Sequence, residues 1–179
     1  GKAINLNASV TAGNSAHLTV AGDVPLQAGK LNLHLGGNAD LAMFNPLLAV
    51  DGRQAKGALA IGMNVAGTLA APRAVGSVTL SNGELHDFAR GLSMRNISAT
   101  VRADGEVLHV TQLTAHAGHG TIIGSGTIDL AAPGVPIAIS ATAKDARPIV
   151  SDLMTATFSG DVKLAGKLKG AMNLTGKIF

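Results

Sequence analysis

His116 and His119 are the residues whose type and spacing come nearest to metal chemistry. On a helix, a spacing of three would place both imidazole rings on one face, where they could bind one ion. The segment around them is instead predicted to be a strand that runs into a glycine turn, and in a strand this spacing puts the rings on opposite faces. No Asp or Glu lies within several residues to complete a ligand set. We therefore interpret both histidines as solvent-facing, together with the scattered His17, His34, His86 and His109.

The sequence also gives only weak support for a catalytic serine or for catalytic carboxylates. The run Gly124-Ser125-Gly126 only partly matches the elbow of serine hydrolases, because a strand rather than a helix is predicted to follow it. Its glycines are better explained as relief for a bend in a long strand. Four carboxylates fall on outward-facing or loop positions without an evident partner: Asp129, Asp145, Asp152 and Asp161. Paired acids for glycoside hydrolysis stay open as an alternative, but we expect no catalysis, no metal and no cofactor.

Composition points to a smooth aliphatic interior. Of the 179 residues, 46% are hydrophobic and only 14% are charged, whereas about a quarter of residues are charged in a typical globular domain. Four Phe are the only aromatic residues besides histidine, since Trp and Tyr are absent. A large β core usually contains aromatic anchors, so this one either packs thinly or encloses something other than side chains.

Charge and cysteine content remove several classes of function. With no cysteine, the chain has no disulfide framework and no thiolate metal site, although its compartment stays open. The net charge of +3 comes from scattered Lys and Arg. Because few aromatic side chains are present to stack on bases, nucleic acid is not an expected partner.

One five-residue phrase recurs along the chain: glycine, any residue, a large aliphatic, any residue, a second large aliphatic. Its copies are 29–33, 57–61, 76–80, 126–130 and 160–164. Alternation with period two is typical of a strand with one apolar and one polar face. A glycine in front of each strand suits a tight turn with positive φ, so each copy predicts a turn followed by a half-buried strand.

The alternating segments together predict an all-β fold with eleven to thirteen strands. We expect antiparallel hairpins over 4–20 and 18–35, a longest strand at 59–69, and turns at 81–83, 104–105, 118–120 and 133–134. One helical patch at 38–48 is predicted to be capped by Asn38 and to be limited to one or two turns by Pro46. Irregular spacing between the copies argues against a strict β-solenoid, and residues 1–179 are expected to form one domain.

The apolar stripe has two interpretations. It could be the core of an ordinary β-sandwich or barrel, or it could line an open or curled sheet that conducts acyl chains. An aliphatic lining without aromatic rings and a pattern that persists to both ends favour the conduit, while composition alone leaves the two nearly balanced. The predicted lining residues are Leu59, Ile61, Met63, Val65, Val78, Leu80, Ile122, Ile128, Leu130, Phe158, Val162 and Leu164.

Residues 65–85 resemble a phrase typical of the TamB family, the translocation and assembly module proteins of diderm bacteria, which are related to AsmA-like bridge proteins. The sharpest part is the G-T-L-x-x-P phrase at 67–72 with the strand and turn that follow it. Segments 29–48 and 118–130 are similar to the same family. The likeness covers most of the chain from about residue 23 to the end.

The resemblance implies a long, curled antiparallel sheet, taco-shaped, with an apolar concave groove. It also implies a periplasmic protein, anchored in the inner membrane, that carries phospholipid toward the outer membrane and takes part in autotransporter and outer-membrane protein assembly. A BamA-type outer-membrane barrel, similar to TamA, would be the partner, contacted through other parts of the full chain. A different function stays open, in which the sheet edge templates nascent outer-membrane strands by β-augmentation.

The ends of the sequence suggest an internal fragment of the family's C-terminal conserved domain. The first residues already alternate, no signal peptide is visible, and the sequence stops within another copy of the glycine-led phrase that begins at Gly176. No run approaches the roughly 18 apolar residues of a membrane-spanning helix. We therefore expect any inner-membrane anchor to lie outside these residues.

Overall fold

The computed structural model describes residues 3–13, 15–27, 29–150, 155–168 and 170–178. They form one curled antiparallel sheet of eleven strands that does not close on itself, as the sequence predicts. Each strand pairs with the strand before it and the strand after it in the chain. The strands are β1 Ala3–Ala12, β2 Ala16–Pro25, β3 Leu31–Asp40, β4 Arg53–Gly67, β5 Pro72–Asp87, β6 Leu92–Gly105, β7 Val107–Ala117, β8 Gly120–Asp129, β9 Pro136–Val150, β10 Thr155–Lys167 and β11 Met172–Ile178.

The hairpin predictions are largely confirmed. The prediction that the glycine of the recurring phrase forms a turn before each strand is wrong for four of the five copies. Gly29 lies in the β2–β3 connection, whereas Gly57, Gly76, Gly126 and Gly160 lie inside strands. Gly76, with φ of 135°, lies within continuous pairing, whereas Gly57, with φ of 138°, lies where the register with β5 shifts between Lys56 and Ala58. Glycine serves both tight turns and close approaches between backbones, and here it mostly serves the second.

The predicted turn at 81–83 is also wrong. Asn82, with φ of 50°, and Gly83 form an irregularity inside β5, where the register with β6 shifts between Leu80 and Gly83. The chain reverses only at 88–91. As a result β5 has 16 residues and exceeds the 15 of β4, which contains most of the segment predicted to be longest.

The helical patch is short, as predicted, but a different residue caps it. A 3₁₀ turn at Leu41–Phe44 leads into α1 at Asn45–Leu48, and a second 3₁₀ turn covers Ala49–Asp51. The carboxylate of Asp40 accepts a hydrogen bond from the Ala42 N–H at 2.8 Å, which satisfies a donor at the first turn. Asn38, the predicted cap, lies in β3. Pro46 stands in the first positions of α1, where its missing N–H removes no helical hydrogen bond.

The sheet has no conventional core of large side chains. Within the described ranges ten hydrophobic residues are buried, and eight of them are alanines, the others being Leu31 and Ile137. Among the described residues, no large side chain is fully buried. A sandwich of this size would bury Leu, Ile and Phe between its two sheets. The large aliphatic side chains of this chain must therefore line a surface.

Asp87 is a buried carboxylate at the end of β5, with 5% of its surface exposed. It accepts hydrogen bonds from the Arg90 N–H at 3.0 Å, from Arg90 Nη1 at 2.8 Å and from Arg53 Nε at 3.3 Å. These bonds tie the 88–91 turn to β4, because Arg53 begins that strand.

Acid is expected to destabilise this corner. The hydrogen bond from the Arg90 side chain lowers the pKa of Asp87, the Arg90 N–H and Arg53 lower it further, and burial opposes them. A carboxylate whose pKa is lower in the folded state stabilises the fold above its unfolded pKa of about 3.9, and this stabilisation is lost as pH falls through the folded value. Urea unfolding between pH 7 and pH 3 should show stability falling below about pH 4. Asp87→Asn should be less stable at pH 7 and should show a shallower acid dependence, and equal slopes for the two proteins would contradict this role.

Candidate functional site

Three neighbouring cross-strand rows contain only apolar residues. We call a row of residues that lie directly opposite one another across the sheet a ladder. The central ladder runs from β1 to β11 through Val10, Leu18, Gly37, Ile61, Val78, Val101, Val110, Gly126, Ile139, Leu164 and Leu174. The ladder on one side of it runs through Ala12, Ala16, Ala39, Leu59, Leu80, Ala99, Leu113, Gly124, Ala141, Val162 and Gly176. The ladder on the other side runs through Ala8, Val20, Leu35, Met63, Gly76, Ala103, Leu108, Ile128, Ile137, Gly166 and Met172.

These three ladders share one side of the sheet, because ten of the eleven strands contribute residues two apart. In β7 a register shift spaces Val110 and Leu113 by three residues and keeps both in the ladders. We call this side the aliphatic face. With neighbouring strands about 4.8 Å apart, it extends roughly 45–50 Å from β1 to β11. No hydroxyl, amide or charged side chain interrupts the three ladders over that length. The face is therefore a continuous hydrocarbon surface.

Glycines in the ladders leave room for atoms of the neighbouring strand to approach the backbone closely. A Cβ added to Gly126 would lie 2.9 Å from the Ile139 Cγ1 atom on the next strand. One added to Gly76 would overlap the Gly62 carbonyl and lie 2.8 Å from the Met63 Cα. Small residues beside large ones keep the face smooth in the absence of aromatic rings. This explains why the glycine-led phrase occurs inside strands.

Exposure along β4 shows which side of the sheet is sheltered. Leu59, Ile61, Met63 and Val65 are half-buried, while the small residues that alternate with them, such as Ala60, are exposed. On a flat single sheet, large side chains and alanines would be exposed to a similar degree. The lower exposure of the large side chains indicates that the sheet curves toward them. At the two edges the face is open, with Val10 55% and Leu174 70% exposed. The groove is thus sheltered in the middle of the sheet and uncovered at both edge strands.

The predicted lining residues converge on this face. Eight of the twelve lie in the three ladders: Leu59, Ile61, Met63, Val78, Leu80, Ile128, Val162 and Leu164. Val65, Ile122 and Phe158 lie on the same side, one or two rows beyond them. Leu130 follows the end of β8, and its N–H donates to the Glu106 carbonyl at 2.8 Å. All twelve are half-buried, and their contact with a ligand stays a prediction.

Sequence reasoning missed the contributions of several strands to the face. Val20, Leu35, Val101, Val110 and Ile139 stand in the ladders beside predicted residues. Each lies in a plainly alternating segment, which was the available signal. The prediction followed mainly the glycine-led phrase, and the register between strands is needed to place the others.

The residues considered for catalysis or metal binding do not come together. His116 lies in β7 and His119 in the following turn, both exposed, and within the described ranges no three His, Cys, Asp or Glu are grouped to hold a metal ion. Ser125 lies within β8, which continues past it.

The carboxylates have structural partners instead. Asp129 accepts bonds from the Ala131 and Ala132 N–H groups at 3.0 Å each, and Asp161 accepts one from the Thr142 hydroxyl at 2.7 Å. The Asp145 carboxylate accepts a bond from the Ser159 hydroxyl at 3.4 Å, and the Asp145 N–H donates to the same hydroxyl oxygen at 2.9 Å. Asp152 lies outside the described residues. These contacts stabilise turns and pair neighbouring strands on the polar side of the sheet.

A comparison with protein-family models identifies a relative of this architecture. Residues 111–179 match the TamB C-terminal domain family. The match confirms the resemblance to TamB from within β7 to the end of the chain, including the 118–130 segment. The other two TamB-like segments, 29–48 and 65–85, lie outside it. Searches of curated proteins and of solved structures gave no match.

Among the described residues, no helix has both the length and the apolar character needed to cross a membrane.

Proposed function

We propose that this chain is part of a non-enzymatic, periplasm-spanning TamB protein whose aliphatic face conducts phospholipid between the inner and outer membranes. The observation that supports the proposal most directly is the set of three uninterrupted apolar ladders across eleven strands. A polar ligand would find no hydrogen-bond partner there, whereas an acyl chain needs none. The role would support outer-membrane biogenesis, with the barrel partner and the inner-membrane anchor engaged by other parts of the full-length protein.

The binding energies expected along the groove favour movement of an acyl chain over its tight retention. Burying one methylene group is worth about 0.8 kcal/mol, so an acyl chain gains several kcal/mol by entering the groove. A chain of about 15 Å, half of a bilayer's hydrocarbon thickness, covers only part of the 45–50 Å face. It can shift by one strand and meet Val, Leu and Ile contacts much like those it left. Similar contacts at successive strands give a series of shallow binding positions without one deep minimum, while the headgroup stays in water at the open side.

A photoreactive residue at Met63 tests the proposal. In cells that express the full-length protein, irradiation is expected to join position 63 to phospholipid, because Met63 lies in the middle of the sheltered face. The same group at Ala60, which is exposed on the polar side of β4, provides the control and should give little lipid adduct. Equal lipid adduct at both positions would count against the groove.

The same experiment distinguishes the lipid conduit from a second candidate function, a scaffold that templates nascent outer-membrane strands. One observation favours it: β1 is an edge strand in which every residue is exposed and none is charged or a proline, the kind of edge that readily pairs with another strand. If position 63 joins an unfolded barrel protein instead of lipid, the scaffold is correct and the conduit is wrong.

A further inference from the structure

The first and fourth strands of the β6–β9 segment pair with each other at one place, beyond the end of the β7–β8 hairpin. Leu92 at the start of β6 pairs with Ile149 near the end of β9, in addition to the pairing of consecutive strands. We call the end of the sheet where the 118–119 turn of this hairpin lies the turn end. At the turn end, β6 and β9 pair around the end of the β7–β8 hairpin. Among the described residues, the opposite end of these four strands has no such extra pairing.

This enclosure produces the tightest packing in the described structure. Ala117 and Ala146 are fully buried and Ala143 is 7% exposed. A Cβ on Gly120 would overlap the backbone of Asp145, and a Cβ on Gly118 would lie 2.9 Å from the Arg147 Cβ. The β9 backbone therefore packs directly against the end of the hairpin, and only alanine and glycine fit between them.

Three larger side chains pack on top of the alanines: Met94, Ile122 and Phe158. Register shifts between β9 and β10 on both sides of Phe158 bring it opposite Ala146. Among the described residues, Phe158 is the single Phe on this side of the sheet, since Phe44 lies in the helical patch and Phe88 in a turn. Its ring covers surface that would otherwise continue the aliphatic face toward the turn end.

We propose that Phe158, with Met94 and Ile122, seals the turn end of the aliphatic face at β6–β10 and confines acyl chains there to the three apolar ladders. This inference rests on the proposed lipid conduit. It makes Phe158 a positioning residue that sets the width of the path where the sheet is most tightly folded. At β4 and β5, the three ladders lie outside this cluster.

Two of the methionines on this side of the sheet, Met63 and Met94, allow a matched test within one molecule. Met63 lies in an open ladder and Met94 in the sealed cluster. A diazirine analogue of methionine replaces all methionines of the full-length protein. The protein is then irradiated in the presence of phospholipid vesicles, and peptide mass spectrometry assigns each lipid adduct to a position. The lipid adduct at position 63 is expected to exceed that at position 94 by about tenfold or more, corresponding to about two methylene contacts withheld from Met94.

Two variants then test the seal itself. Phe158→Ala should raise the adduct at position 94 severalfold and leave that at position 63 unchanged, and Phe158→Leu should give an intermediate rise if the alanine variant does not fold. Equal adducts at 63 and 94 with Phe158 in place, or no rise in either folded variant, would overturn the seal while leaving the conduit intact. No lipid adduct at position 63 would instead remove the conduit, and the seal with it.

Discussion

Ile61→Asp is expected to weaken acyl-chain binding by about a hundredfold while the sheet stays folded. Ile61 stands in the central ladder between Gly37 and Val78, so the carboxylate would face the middle of the hydrocarbon surface. The ligand would lose about 2 kcal/mol of apolar contact and would also have to desolvate an unpaired charge. Because Ile61 is only half-buried, the new charge keeps access to water in the empty groove, and the cost to folding should be modest.

The matched control is Ala60→Asp, one residue away on the same strand. Ala60 is exposed on the polar side, opposite Asn38 and Thr79, and a carboxylate there should leave binding within about twofold. Binding of a fluorescent fatty acid to purified protein measures both variants, and circular dichroism checks the fold. In cells, Ile61→Asp at normal protein levels should disturb outer-membrane lipid homeostasis. Wild-type binding and normal lipid homeostasis in that variant would refute the conduit.

The alternation that predicted the sheet lies in the local sequence. Residues 59–65 alternate apolar and small or polar residues, and the structure keeps that pattern as half-buried and exposed positions along β4. The approximate strand number, the antiparallel order and the shared face of eleven of the twelve lining residues follow from such segments, because period two fixes the side on which a residue lies. For these features no long-range information was needed.

Other features depend on contacts between distant segments. Gly76 could equally have been a turn residue, and only its position opposite Met63 shows that the backbones approach closely. Ile139 joins the central ladder because β8 and β9 pair in one particular register. The alanine cluster arises where β9 packs against the β7–β8 turn, and alternation cannot predict such a contact. Sequence thus identified the kind of surface, while register and bulges decided its extent and where it is sealed.

Gly76→Ala is expected to destabilise the sheet by about 3 kcal/mol or more. Gly76 has φ of 135°, a conformation that an alanine adopts only with strain. The added Cβ would also overlap the Gly62 carbonyl and lie 2.8 Å from the Met63 Cα, and backbone atoms in the middle of a paired sheet cannot move aside cheaply. The midpoint of urea unfolding, followed by circular dichroism, should therefore fall strongly.

Gly62→Ala is the matched control, because Gly62 lies on β4 directly opposite Ser77, the residue after Gly76. A Cβ at Gly62 meets no atom within 4 Å, and its φ lies outside the positive range. Alanine there should leave stability unchanged or raise it by about 0.5 kcal/mol, since it restricts the unfolded chain. If the two variants unfolded at the same urea concentration, the glycines inside these strands would not be required for close backbone approach. A large loss at position 76 alone would show that the recurring glycine sets the spacing between strands and, with it, the smooth surface of the aliphatic face.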